Sequence, residues 1–283
     1  MRGKMRVLIL GATGMLGNAV AKHFQKKDVD LYFSYRNPHV IFDTKSDKPI
    51  SYYPEAFPFE TKAPFIELPY ADYVINCIGV IKPFIEKNPI ESIEVNSIFP
   101  RALANYCEKN KMKLIQITTD CVFSGKDGPY TEDSPHDALD DYGKTKSLGE
   151  PKNCMVLRTS IIGEEIHKGA SLISWVKTLE GQEANGFTNH WWNGMTTEQY
   201  AKVCSTIIEK DLFENGTFHL FSNRINKHDL VKKIAERFDI DVKLNKYEAP
   251  VVVDRTLASN KSLINKLNIP SIEEQIESMA LLG

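Results

Sequence analysis

RVLILGATGMLG, residues 6–17, decides the fold. Five residues that favour an extended chain run into a turn carrying Gly11, Gly14 and Gly17, and a helix-period stripe of Leu16, Val20, Ala21 and Phe24 follows at once. Strand, glycine turn and helix in that order open a β-α-β unit. Gly11 permits the tight turn, Gly14 lets backbone approach a pyrophosphate, Gly17 lets the helix close on the strand, and the helix N-terminus faces the anion. Glycines also serve plain tight turns, so the flanking strand and helix are what mark a dinucleotide site.

The same alternation continues outward. DLYFSY (30–35), YVINCIG (73–79), KLIQITT (113–119) and CMVLRTS (154–160) read as buried strands, and 91–109 reads as a helix. Residues 37–70 hold six of the 14 prolines and read as a loop-rich insertion around a weak strand near Ala56–Glu60. After Gly163 come a helix over Ser171–Leu179, the aromatic loop GFTNHWWNG (186–194), a helix over Thr197–Lys210 and a strand TFHLF (217–221). The predicted class is α/β: a Rossmann-type, doubly wound parallel sheet with a smaller C-terminal substrate-binding lobe. The dinucleotide-binding domain spans 1–163 and is completed by about 197–223; residues 164–196 and 224–283 form the lobe. Ligands of open α/β sheets bind at the carboxyl ends of the strands, so the expected site is the cleft there.

Composition narrows the function. Apolar residues at 42% and charged residues at 25% exclude a disordered chain, and a net charge of −2 without a basic run argues against a nucleic-acid or membrane-surface partner. Five scattered cysteines without C-x-x-C spacing give neither a disulfide framework nor a metal site, and point to a reducing cytoplasm. No apolar run approaches the length of a membrane span, and no export signal precedes the first strand. A small-molecule partner is expected, with a homodimer as an allowed assembly.

The chemistry gathers around YGKTK. Tyr142 and Lys146 are four apart at the opening of a helix and share one face. A phenol near pKa 10 is a poor acid or base at neutral pH, and an adjacent ammonium is expected to lower that value. Thr119 closes a predicted strand and can fix a substrate carbonyl beside the tyrosine oxygen, so proton donation accompanies hydride delivery. At the end of the second strand Arg36 stands where a carboxylate would accept from an NAD ribose. Its cationic fork suits a 2′-phosphate, so NADP(H) is the expected cofactor and NAD(H) the alternative.

GATGMLG, VINCIG (74–79), the VN of EVNSIFPRALA, TTDCVFSGKDGPYTEDSP (118–135), YGKTKSLGE (142–150) and RTSIIG (158–163) together resemble the extended short-chain dehydrogenase/reductases, and among them the dTDP-4-dehydrorhamnose reductase family. The resemblance runs along nearly the whole chain. It implies catalytic roles for Thr119, Tyr142 and Lys146. It implies cofactor contacts from Gly11, Thr13, Gly14, Met15, Leu16 and Gly17, from Asn76, Cys77, Ile78 and Gly79, from Asn96, and from Thr159, Ile161 and Ile162, with Tyr142 and Lys146 also on the cofactor. The implied activity is NADPH-dependent reduction of a nucleotide-activated 4-keto-6-deoxy sugar for surface polysaccharide or deoxysugar synthesis.

Two departures leave other readings open. Cys121 stands where many relatives have an aromatic residue and where the related GDP-fucose synthases carry an acid/base cysteine, so a combined 3,5-epimerase and 4-reductase with His167 as partner is one alternative; a small buried apolar residue is the other. Trp192, in the loop that departs from the reductases, can stack on a sugar or base or simply pack. The regulatory β subunit of methionine adenosyltransferase also resembles this family, which leaves a non-catalytic dinucleotide-binding role as the third reading.

Overall fold

The computed structural model describes residues 3–34, 68–166, 169 and 171–280, together with the backbone of 51–53. Arg36, His167 and the weak strand expected near Ala56–Glu60 lie outside the described residues. Among the described residues no helix is long and apolar enough to cross a membrane, and no group of three or more potential ligands could hold a metal ion.

The central sheet is built from β1 (Arg6–Leu10), β2 (Asp30–Ser34), β3 (Ser51–Tyr53), β4 (Tyr73–Asn76), β5 (Lys113–Thr119), β6 (Met155–Thr159) and the strand Gly216–His219. Its order is Gly216–His219, β6, β5, β4, β1, β2, β3. The pairs β1–β2, β1–β4, β2–β3 and β4–β5 are parallel. The order reverses between β1 and β4, the switch point at which doubly wound sheets bind ligands. Strands covered on both faces need apolar side chains on both, and Val7, Leu8, Ile9 and Leu10 are all fully buried.

The chain divides into two compact units. The first comprises 1–118, 145–157 and 201–217. Its core gathers Leu8, Leu10, Val74, Phe99, Leu103, Leu114 and Val156. The helix Met15–Phe24 buries Leu16, Val20, Ala21 and Phe24, the stripe that sequence spacing predicts. The helix expected over 91–109 is three consecutive pieces: Pro89–Ile93, a π-turn over Glu94–Ile98, and Phe99–Lys109.

The second unit comprises 119–144, 158–200 and 218–283. Its strand His190–Trp192 pairs antiparallel with Ile225–Asn226 and parallel with Val253–Asp254, while Gln182–Phe187 pairs in parallel with Val242–Tyr247. Helix Lys227–Arg237, capped by the Asn226 side chain, buries Leu230, Val231 and Ile234 in a core with Ile173, Trp192 and Ile272. Helix Asp141–Leu148 starts in the second unit and ends in the first.

Candidate active site

In the first unit, the turn after β1 has the form that its glycines require. Gly11 has φ +78°, and a Cβ there would lie 2.8 Å from Ile78 Cγ1. Ser34, at the end of β2, fastens the turn: its hydroxyl accepts from the Gly11 N–H at 3.1 Å and its carbonyl from the Ala12 N–H at 2.9 Å. A Cβ on Gly17 would fall 2.0 Å from the Gly11 carbonyl oxygen, so only glycine lets the helix close on the turn. Gly14 is exposed, and a Cβ there would meet nothing nearer than the Gly11 oxygen at 3.4 Å. Gly14 is the N-cap and makes no side-chain cap bond, so no capping side chain stands between the helix N-terminus and an anion. Thr13 and Met15 flank Gly14 half-buried, and Leu16 is buried.

The loop after β4 is held from both sides. The fully buried Asn76 donates to Gln116 Oε1 at 2.8 Å and accepts from the Ile78 N–H at 3.1 Å. The Cys77 N–H donates to the Leu10 carbonyl at 3.0 Å; burial, and then Cys204, push its thiol well above the usual range, so it is not a nucleophile. Asn96, on the π-turn, accepts from the Val80 N–H at 2.9 Å and donates to the Val80 carbonyl at 2.9 Å and to Thr145 Oγ1 at 3.3 Å. The buried Lys146 donates to the Ile117 carbonyl at 3.4 Å, and its Nζ lies 3.7 Å from where a Cβ on the exposed Gly79 would stand. Burial, partly offset by Glu150, lowers the Lys146 ammonium to about 8.

In the second unit, Thr119 and Tyr142 meet: the Thr119 hydroxyl is hydrogen-bonded to the half-buried phenol. Thr119 Oγ1 also donates to Asp120 Oδ1 at 3.1 Å and accepts from the Cys121 N–H at 3.1 Å, which caps the short turn Asp120–Val122. The expectation that the phenol is acidified is overturned. Burial raises Tyr142 well above 10, Cys121, Asp120 and Asp140 raise it further, and only a hydrogen bond from Thr119 would pull it down. Desolvation leads because the phenolate, not the phenol, is the species that loses water. Tyr142 and Lys146 lie one turn apart on the helix Asp141–Leu148.

Other predicted residues lie elsewhere in this unit. Thr159 is buried and donates to the Ser160 carbonyl at 3.2 Å. Ile161 and Ile162 pair in parallel with Met195 and Thr196. Trp192 is 3% exposed and packs with Ile162, Ile173 and Ile225; Trp191 is more open and carries the Arg224 guanidinium 3.7 Å above its ring.

Sequence spacing misses two clusters here. Burial leaves the Asp120 carboxyl raised on balance, with Lys227 and Arg255 pulling the other way; burial also lowers the Lys227 ammonium, which Asp120 and Cys121 only partly offset. Asp120 sits in the TTD run, but its cationic partners are more than 100 residues away and carry no local signal. The fully buried Arg158 donates to His219 Nε2 at 2.6 Å and to His136 Nε2 at 2.8 Å. The His219 Nδ1–H turns to the Ala258 carbonyl at 2.8 Å, which leaves Nε2 as a lone-pair acceptor. Burial, and then Arg158, hold this imidazole at about 4.

Methionine adenosyltransferase 2 subunit beta of Rattus norvegicus is 29% identical over 253 residues, covering 83% of this chain and 72% of the relative. The dTDP-4-dehydrorhamnose reductase of Streptomyces griseus is 39% identical over 79 residues, 27% of this chain and 26% of that one. The crystal structure of dTDP-4-dehydrorhamnose reductase from Bacillus anthracis in complex with NADP shares the fold, with a TM-score of 0.74 at 21% identity, covering 97% of this chain and 98% of that one. The profile of the RmlD substrate binding domain matches residues 5–261, and the chain belongs to that family.

Proposed function

We propose that the protein is an NADPH-dependent reductase of a nucleotide-activated 4-keto-6-deoxy sugar, working in the cytoplasm in surface polysaccharide or deoxysugar synthesis. The observation that carries this reading is the hydroxyl of Thr119 bonded to the phenol of Tyr142, with Lys146 one turn along the same helix. The uncapped helix end at Gly14 and the open space over that glycine fit the phosphates of a dinucleotide; Asn76 to Gly79, Asn96 and Lys146 would hold the rest. When bound, that cofactor supplies the hydride.

The chain's own groups do the remainder. Burial keeps Tyr142 protonated at neutral pH, so it stands ready as the acid that gives its proton to the carbonyl oxygen as the carbon takes the hydride. Thr119 holds the phenol in place through the hydrogen bond between them. Lys146 remains mostly charged at neutral pH and balances the phenolate left behind. The NADP(H) preference rests on Arg36, with NAD(H) the alternative. Residues 1–163 and about 197–223 would carry the cofactor, and 164–196 and 224–283 the sugar nucleotide. Purified protein with NADPH and a panel of 4-keto-6-deoxy nucleotide sugars tests the reading: absorbance loss at the dihydronicotinamide band is expected for wild type and not for Tyr142→Phe. No turnover with any of them refutes it.

The rat relative favours a second reading, a dinucleotide-binding subunit that works through a partner. Co-purification with a methionine adenosyltransferase, without sugar reduction, is its signature. Cys121 lies within charge reach of Lys227, which keeps the epimerising variant in view. Solvent deuterium at the sugar C3 or C5, lost in Cys121→Ser, is the mark of that chemistry.

A further inference from the structure

The Thr119 hydroxyl has one proton and two lone pairs. One lone pair takes the Cys121 N–H at 3.1 Å, and the proton goes to Asp120 Oδ1 at 3.1 Å. Only a lone pair is left for the tyrosine oxygen. We propose that Asp120 is a positioning residue: by taking the proton of Thr119 it makes that hydroxyl an acceptor toward Tyr142 and keeps the phenol in its proton-donating form. This rests on the reading of Tyr142 as the proton donor.

Burial and its neighbours pull the Asp120 carboxyl in opposite directions, and on balance it stands above the usual carboxylate value. It is 4% exposed, and burial favours its neutral form. Against this stand Lys227 from the helix Lys227–Arg237, Arg255 from the segment after Val253–Asp254, and the Thr119 and Cys121 bonds on its own turn. Tyr142 faces the group from the helix Asp141–Leu148, and the negative charge of Asp120 opposes formation of a phenolate there. A Thr119 hydroxyl that donated to the phenol oxygen would favour the phenolate; one whose proton is held by Asp120 cannot. Ketone reduction needs the phenol, whereas alcohol oxidation needs the phenolate, so Asp120 loads the site for reduction.

The test is a titration that needs no substrate. 3,5-Difluorotyrosine installed at position 142 of the full chain is intrinsically more acidic than tyrosine, and its ionisation is read by absorbance. In Asp120→Asn the midpoint is expected to fall by about one pH unit, about tenfold in the ionisation constant, as a neighbouring charge at an effective dielectric near 20 supplies. In Thr119→Val it is expected to fall as well, since the phenol loses its acceptor. A midpoint that stays or rises in Asp120→Asn, or rises in Thr119→Val, overturns the proposal. Should Asp120→Asn not fold, the sign in Thr119→Val decides alone. An active reductase with a rising Thr119→Val midpoint keeps the proposed function and loses this inference. A chain inactive on every sugar nucleotide with falling midpoints does the reverse.

Discussion

Replacing Lys146 with methionine is expected to make the protein more stable at neutral pH while removing its activity. The side chain is 6% exposed, and burial lowers its ammonium from 10.5 to about 8. The unfolded chain therefore holds this proton more tightly than the folded one. Folding is penalised in full below pH 8, and stability rises as pH climbs from 8 to 10.5, where the penalty vanishes. A drop of about 2.5 pH units at about 1.4 kcal/mol each weighs about 3 kcal/mol against the native state at pH 7. Methionine matches the length of the lysine stem but gives up its 3.4 Å bond to the Ile117 carbonyl. That bond is worth about 1 kcal/mol, so a net gain of about 2 kcal/mol remains. Urea midpoints of wild type and Lys146→Met, measured at intervals from pH 7 to 10.5, read this directly. The curves should converge as pH rises. A variant less stable than wild type at pH 7, or a constant gap across the range, refutes the burial argument.

Gly17→Ala forces a Cβ to within 2.0 Å of backbone and should cost about 3 kcal/mol in urea denaturation. Gly14→Ala should cost about 1 kcal/mol or less, yet weaken NADPH about tenfold by calorimetry, because its Cβ would occupy only the space over the turn. Tyr142→Phe should reduce turnover by about a thousandfold, measured in a stopped-flow single turnover. The folded His219 imidazole sits at about 4 against an ordinary 6.5, so its contribution is complete above pH 6.5 and is lost as pH falls toward 4. His219→Gln should flatten that acid limb of the urea midpoints.

Sequence spacing reads best where one physical requirement acts alone. β5 coincides with KLIQITT because a strand buried on both faces leaves an unbroken run, and the first helix shows its stripe because one face meets the sheet. The glycine turn is legible for the same reason: Gly11 and Gly17 answer to φ and to contact distance, both local demands. The π-turn at Glu94–Ile98 leaves no such mark, since one inserted residue barely disturbs an apolar period. Pairing of Tyr142 with Thr119 follows from motif spacing, but the direction in which the phenol moves does not. Spacing shows the lysine one turn along the helix and hides the burial that raises the phenol. Lys227 and Arg255 come to Asp120, and His219 to Arg158, only through the tertiary path of the chain.

The π-turn that carries Asn96 has a consequence for how such a chain can change. A single-residue deletion within Glu94–Ile98 would restore regular α-helical winding, leaving the flanking helices on their present faces but removing the bulge that carries Asn96. The carboxamide that now pairs with Val80 through both its oxygen and its nitrogen would then swing off that loop. Loss or gain of one codon there is thus a one-step route between a chain whose post-β4 loop is latched in advance and one in which an incoming dinucleotide must do the latching.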